Sequence, residues 1–130
     1  MANDMHLALL KQGVDAWNEW RAAHPDARPD FANATLRGLD LAKADLPGAD
    51  LRETDLRGTV LSGAVLIRAN LAGANFFKAI LDDADLSGVN LLGARFLNCA
   101  QLMTTRNWQS AARDSDLACG APIPPVTDRS

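Results

Sequence analysis

Large apolar residues recur at every fifth position through the middle of this chain. The series runs without a gap from Phe31 to Phe96, and leucine or phenylalanine stands at all fourteen positions. A small residue, most often alanine, stands two positions before most of them. Five residues turn an α-helix by about 500°, so successive leucines would wind around it and share no face. A flat strand does not fit either, because its side chains alternate with period two and five is odd.

The pattern instead predicts a chain that bends once in every pentad. The small residue and the apolar centre point inward from a short extended piece, the residue between them points outward, and the last two residues turn the chain by about a quarter circle. Seven of the nine glycines stand two residues after a centre, where tight turns often need a positive φ. Asn33, Lys43 and Asn98 share this slot, which predicts that some corners use a turn that does not require glycine.

Four corners close a square, so residues twenty apart should stack at the β-ladder spacing of about 4.8 Å. Four central columns follow, and two of them are Phe31, Leu51, Leu71, Leu91 and Leu36, Leu56, Phe76, Phe96.

The pentads ADLPG, ADLRE, TDLRG, ANLAG, ANFFK, ADLSG and VNLLG resemble the pentapeptide repeat consensus A-(D/N)-L-x-x. The resemblance covers residues 29–98, and the segment before it is similar to one that precedes the repeats in many bacterial members. It implies a right-handed quadrilateral β-helix. The expected fold is thus an all-β solenoid, a short β-helix of about three and a half coils, with an N-terminal capping helix and a short C-terminal helix. The expected division is 1–28 for the helical cap, 29–101 for the β-helix and 102–130 for a C-terminal helix and Pro-containing tail.

The N-terminal segment has the apolar spacing of one amphipathic helix. Asn3 or Asp4 is its expected N-cap, and Pro25 should end it near Ala23. We expect it to dock on the open edge of the first coil, where Leu39 fills a small-residue slot; a dimerisation or partner helix is the alternative. At the other end, Thr104 or Thr105 should begin a short helix. The residues expected to dock the two caps are Leu10, Val14, Trp17, Trp20, Leu39 and Trp108.

The candidate chemistry is sparse, and no catalytic residue, cofactor or metal site is expected. His6 and His24 have no Cys or Glu at ligand spacing. The acidic cluster of Asp82, Asp83 and Asp85 is interpreted as a solvated corner. Cys99 is expected in a small-residue slot of the core, and with only one other cysteine, Cys119, no disulfide framework is indicated.

Charge and hydropathy narrow the classes of partner. A net charge of −3 argues against direct nucleic-acid binding. The first residues lack the apolar core of a signal peptide, and no apolar run has the length of a membrane span, so the expected location is the cytoplasm. No small-molecule substrate is expected.

The outward positions contain one apolar patch, which consists of Val60, Phe77, Ile80 and Leu97. An exposed apolar patch usually marks something that covers it. The cover is either the chain's own C-terminal helix with Trp108, or a second copy or another protein.

The favoured function is therefore a non-enzymatic module for protein–protein interaction or scaffolding, with an unidentified protein or a second copy as partner. The alternative is a DNA mimic that modulates a type II topoisomerase. Mimicry needs negative charge along the axis, whereas Asp40, Asp45, Asp50 and Asp55 point to four different sides of one coil.

Overall fold

A computed structural model describes residues 2–125, and its central part is a four-sided coil built from parallel β-bridges. On one side Asp30 pairs with Asp50, Asp50 with Asn70 and Asn70 with Asn90. The other three sides repeat this spacing of twenty residues up to Arg95. Each pentad contributes one bridging residue, so no longer strand forms within residues 2–125. The stacking predicted from the period is confirmed.

The core is the column of apolar centres inside the coil. Every centre from Phe31 to Leu91 is at most 2% exposed. The preceding alanines, with Thr54 and Thr59, are buried beside them. Both threonine hydroxyls donate to backbone carbonyls at 2.8 Å, so their burial leaves no donor unpaired.

All corners of the coil use one kind of turn. At each corner from 33 to 93 the residue two after the centre has a φ between 57° and 72°, whether or not it is glycine. The turn does not require glycine, as predicted: Asn33, Lys43, Glu53 and three further non-glycine residues adopt the left-handed conformation too. Side chains reach this region at a cost of about 1 kcal/mol each, which the ladder of hydrogen bonds around the corner offsets.

Two helices, not one, precede the coil. Helix α1 spans Asp4–Lys11 and helix α2 spans Val14–Ala23. Gly13 separates them with a φ of 123°, so the prediction of a single helix was wrong. Asn3 is the N-cap of α1, since its side chain accepts the His6 N–H at 3.0 Å, and α2 ends at Ala23 as predicted.

The regular five-residue register ends at Arg95, earlier than the repeat pattern predicted. Phe96 has a φ of 56° and is 66% exposed, whereas Leu97 is 8% exposed. The assignment of Phe96 as the last centre was wrong, because the chain turns out of the coil there and presents the next residue to the core.

A short helix and two 3₁₀ turns close this end. Helix α3 spans Cys99–Leu102 with Asn98 as N-cap, and the 3₁₀ turns span Trp108–Ser110 and Ser115–Leu117. The predicted start at Thr104 or Thr105 was wrong: Trp108 follows Asn107, whose φ is 61°. Arg106 and Ala112 form bridges with Asp85 and Asn90, and thus occupy positions of the next coil.

A disulfide between Cys99 and Cys119 joins α3 to the segment after the second 3₁₀ turn, with the Cα atoms 5.6 Å apart. The predicted core position of Cys99 was wrong, because the chain has already left the coil at Phe96. No helix within residues 2–125 is long and apolar enough to cross a membrane. The last five residues of the predicted tail lie outside the described part.

Candidate interaction surface

The outward Asp and Asn residues before each centre serve the backbone. The ladder leaves unpaired the N–H of the residue just after a centre. Where the outward slot holds Asp or Asn, its side-chain oxygen accepts this N–H at 3.0–3.2 Å, as it does in eight pentads. This is the local Asx turn, in which the side chain substitutes for a backbone acceptor. Asp45 is an exception, because the residue just after its centre is Pro47, which has no N–H to donate. Sequence reasoning missed this role, although the interchange of Asp and Asn in this slot was a signal for it.

Side chains of the flanking segments replace backbone partners at both ends of the coil. His6 Nδ1 accepts the Asp30 N–H at 3.1 Å, and Asn18 Oδ1 accepts the Asp45 N–H at 2.8 Å. In the next coil the equivalent N–H groups donate to carbonyls one coil below, as the Asp50 N–H does to the Pro29 carbonyl. At the opposite end, Ser110 Oγ accepts the Gly88 N–H at 3.0 Å.

The residues predicted to dock the N-terminal helix lie against the first coil. Leu10 and Trp17 are buried, and Val14, Trp20 and Leu39 are partly buried against the same core. Trp17 Nε1 also donates to the Asp45 carbonyl at 2.8 Å.

His6 lies in an aromatic cluster, with its ring 5.2–6.3 Å from the rings of Trp17, Trp20 and Phe31. Burial lowers the pKa of His6, although Asp30 partly opposes this shift. The neutral ring is therefore favoured, which suits its role as acceptor for the Asp30 N–H.

The predicted apolar patch differs from the structure at one residue. Phe77 and Ile80 are 47% and 46% exposed, and Val60 is partly buried beside Ile80 on the ladder. The side chain packed on Phe77 is Phe96, with ring centroids 5.7 Å apart at 71°. Leu97 was wrongly included because the coil was expected to continue. We call Val60, Phe77, Ile80 and Phe96 the apolar patch.

The described part of the C-terminal segment leaves the exposed members of the patch open to solvent. Trp108 is itself buried, and the Arg113 guanidinium lies 5.1 Å from its ring centroid. Its neighbour Ser110 bonds Gly88, on a different side of the coil. The predicted cover by Trp108 was wrong, because the C-terminal segment packs over the end of the coil.

Basic side chains border the patch on the side that carries Phe77. Arg57 binds Asp55 through two hydrogen bonds, from Nε to Oδ1 at 2.9 Å and from Nη2 to Oδ2 at 2.7 Å. Hydrogen bonding from Arg57 is the main cause that lowers the pKa of Asp55 to about 2. Arg37 lies one coil before Arg57 and contributes in the same direction. Lys78 Nζ lies 5.4 Å from the Phe77 ring centroid.

Two adjoining hollows cross this side. One, of about 260 Å³, is lined by Arg37, Arg57, Gly58, Phe77 and Lys78. The other, of about 180 Å³, is lined by Arg57, Asn75, Phe77 and Phe96. Because they share Arg57 and Phe77, they form one shallow groove with basic and aromatic walls.

The remaining candidate residues do not converge on a site. His24 stacks on Trp20 with ring centroids 4.6 Å apart, whereas Asp82 and Asp83 are exposed. Asp85 accepts from Ser87 and Asn107. Within residues 2–125 no three His, Cys, Asp or Glu side chains are grouped so that they could hold a metal ion.

Comparison with known proteins identifies the repeat. The family model for pentapeptide repeats matches in eight copies, over residues 30–63, 44–83, 54–93 and 79–100. A search of curated proteins found no match.

Solved structures of pentapeptide repeat proteins are similar in sequence over part of their length. One from the Arabidopsis thaliana thylakoid lumen is 27% identical, with 65% of this chain and 63% of that chain covered and a TM-score of 0.43. Another, from the cyanobacterium Cyanothece 51142, is 32% identical, with 70% and 65% covered and a TM-score of 0.42. The chain thus spans less than two thirds of either protein. The family match covers more than half of the chain and coincides with the coil: the chain belongs to the pentapeptide repeat family.

Proposed function

We propose that this protein is a non-enzymatic interaction module, in which a rigid coil presents the apolar patch to another protein. The observation that carries the proposal is the solvent-exposed pair Phe77 and Phe96, whose rings pack edge to face. Exposed aromatic residues are enriched where proteins bind one another. The two helices and the C-terminal segment serve as caps that block the ends of the coil, since their side chains occupy the backbone groups there.

Two features support a role without catalysis. The inside of the coil is filled by apolar centres, so it contains no cavity for a substrate. Most outward Asp and Asn side chains accept a backbone N–H, so turn structure accounts for their presence without a catalytic role.

Selection from a displayed peptide library against the immobilised protein tests this function. We expect enriched peptides to lose binding to the Phe77→Ser and Phe96→Ser variants. Met5→Ser is the matched control, because Met5 is also a large exposed apolar residue, 54% exposed, but lies on α1. Recovery of no peptide that distinguishes the patch variants from wild type would refute the proposal.

DNA mimicry of a type II topoisomerase substrate is the second candidate, and the structure supports it less. The acidic residues are distributed around the coil, and Asn replaces Asp in the same structural slot along the axis. A gyrase supercoiling assay separates the candidates: dose-dependent inhibition that survives both patch variants would favour mimicry.

The disulfide bears on the cellular compartment in which the protein works. The cytoplasm was expected from the N-terminal sequence, whereas a disulfide such as Cys99–Cys119 persists most readily in an oxidising compartment. Labelling of free thiols in intact cells, with and without prior reduction, decides between the two locations.

A further inference from the structure

We infer that the groove beside the patch binds an extended acidic segment of a partner protein, whose apolar side chain rests on Phe77 and Phe96. This inference rests on the proposed function and specifies the chemistry of the partner. We call Arg37, Arg57, Phe77, Lys78 and Phe96 the basic–aromatic stripe.

The stripe runs along the axis of the coil, because Arg37, Arg57 and Phe77 occupy the same position in three successive coils. The Gly38 N–H donates to the Arg57 carbonyl at 3.0 Å, and the Gly58 N–H donates to the Phe77 carbonyl at 2.9 Å. The residues after the centres are therefore stacked at about 4.8 Å per coil. From Arg37 to Phe96 the stripe is about 14 Å long, which corresponds to about four residues of extended chain.

Charge determines which kind of segment fits. The stripe contains three basic side chains, of which Arg57 is paired with Asp55. Within residues 2–125 neither Arg37 nor Lys78 forms an ion pair. The chain as a whole has a net charge of −3, so this concentration of positive charge is local. Asp55 holds the Arg57 guanidinium in place and leaves its other N–H groups free to donate to a ligand carboxylate.

The same charges argue against two other occupants. Two copies of this chain that met through the stripe would bring like charges together. A nucleic-acid strand would meet carboxylates on both neighbouring sides, Asp82 and Asp83 on one and Asp50 and Glu53 on the other. A single acidic peptide is narrow enough to stay within the stripe.

The arrangement also predicts an orientation. The aromatic pair is at the C-terminal end of the coil, and Arg57 and Arg37 follow toward the N-terminal end. The apolar anchor of the ligand should therefore lie over Phe96, with acidic residues two to four positions away along the segment.

Fluorescence anisotropy with two labelled peptides tests the inference. One places two glutamates three and four positions before a phenylalanine, and the other has glutamine in place of both glutamates. We expect the glutamine peptide to bind about tenfold more weakly, and added salt to weaken only the glutamate peptide, because two or three surface ion pairs together contribute about that factor.

The variant pair Lys78→Gln and Arg68→Gln supplies a matched control. Both residues occupy the same corner slot, with φ of 59° and 61°, but Arg68 lies on another side of the coil. Lys78→Gln and Arg37→Gln should each weaken the glutamate peptide several-fold, and Arg68→Gln should leave its affinity unchanged.

Three results would overturn the inference: equal affinity for both peptides, equal affinity for a mixed-sequence oligonucleotide, or self-association that Arg37→Gln strengthens. Equal binding of both peptides that is lost in Phe96→Ser would reject the acidic ligand and keep the proposed function. Failure of both the peptides and the display selection would reject the proposed function itself.

Discussion

At the scale of single residues, each pentad position has one physical task. The centre fills the core, the corner residue adopts a positive φ, and the outward Asp or Asn accepts the one backbone N–H that the ladder does not pair. The acidic character of the outward slot is therefore mostly a consequence of turn chemistry, since an amide oxygen accepts this bond as well as a carboxylate does.

Substitutions at Asn70 test this reading. Asn70→Ala removes the acceptor of the Ala72 N–H, at 3.1 Å, and should lower the free energy of unfolding by about 1 kcal/mol. Asn70→Asp keeps an acceptor and should stay within about 0.5 kcal/mol of wild type. Urea denaturation measures both, and equal losses for the two variants would contradict the role assigned to this slot.

At the scale of elements, the flanking segments complete the hydrogen bonds of the first and last coils. Helix α1 does so with His6, whose neutral ring accepts the Asp30 N–H in an aromatic cluster. The sequence pattern indicated a docked helix but contained no signal that a histidine would accept a coil N–H.

This contact predicts a pH dependence of stability. Because the pKa of His6 is lowered in the folded protein, the unfolded chain binds the proton more tightly. The stabilisation is complete above the unfolded value of about 6.5 and is lost as the pH falls through the folded value. Urea denaturation at about pH 7 and about pH 5 should show a decrease that His6→Ala removes and His24→Gln, at an exposed histidine, retains.

The disulfide holds the C-terminal segment at its end of the coil, as the His6 hydrogen bond helps to hold α1 at the other end. Cys99 and Cys119 are twenty residues apart, so the bond closes a loop whose entropy in the unfolded chain is worth about 3 kcal/mol. The double variant Cys99→Ser with Cys119→Ser should lose about that amount in thermal denaturation and become insensitive to reductant. A wild type whose stability does not change on reduction would contradict this role.

At the scale of the whole molecule, the protein is a stack whose layers contact mainly their neighbours. The residues at which the stack ends therefore determine its length and which side chains are exposed there. The last layer ends where Phe96 turns outward and Leu97 turns inward. That exchange creates the exposed aromatic pair and places the basic–aromatic stripe beside it.

A pair of truncations checks this exchange. Leu97→Ala should destabilise the protein by about 2 kcal/mol or more, because it removes buried methyl groups. Phe96→Ala should change stability by less than about 0.5 kcal/mol, since the ring is 66% exposed. A larger loss of stability for Phe96→Ala than for Leu97→Ala in a denaturant titration would show that Phe96 is a core residue, and the apolar patch would then lack its exposed aromatic pair.

The five-residue period by itself determined the square coil, the stacking of residues twenty apart and the buried centres from Phe31 to Leu91. It could do so because each pentad repeats the same local turn and the same inward pair. Tertiary structure alone decided the break at Gly13, the exit at Phe96, the Cys99–Cys119 bond and the side chains that pair with the end coils. These features depend on groups at the ends of the stack, which have no neighbouring coil on one side. The side chains and backbone that contact them belong to segments outside the repeat, where the five-residue pattern gives no information.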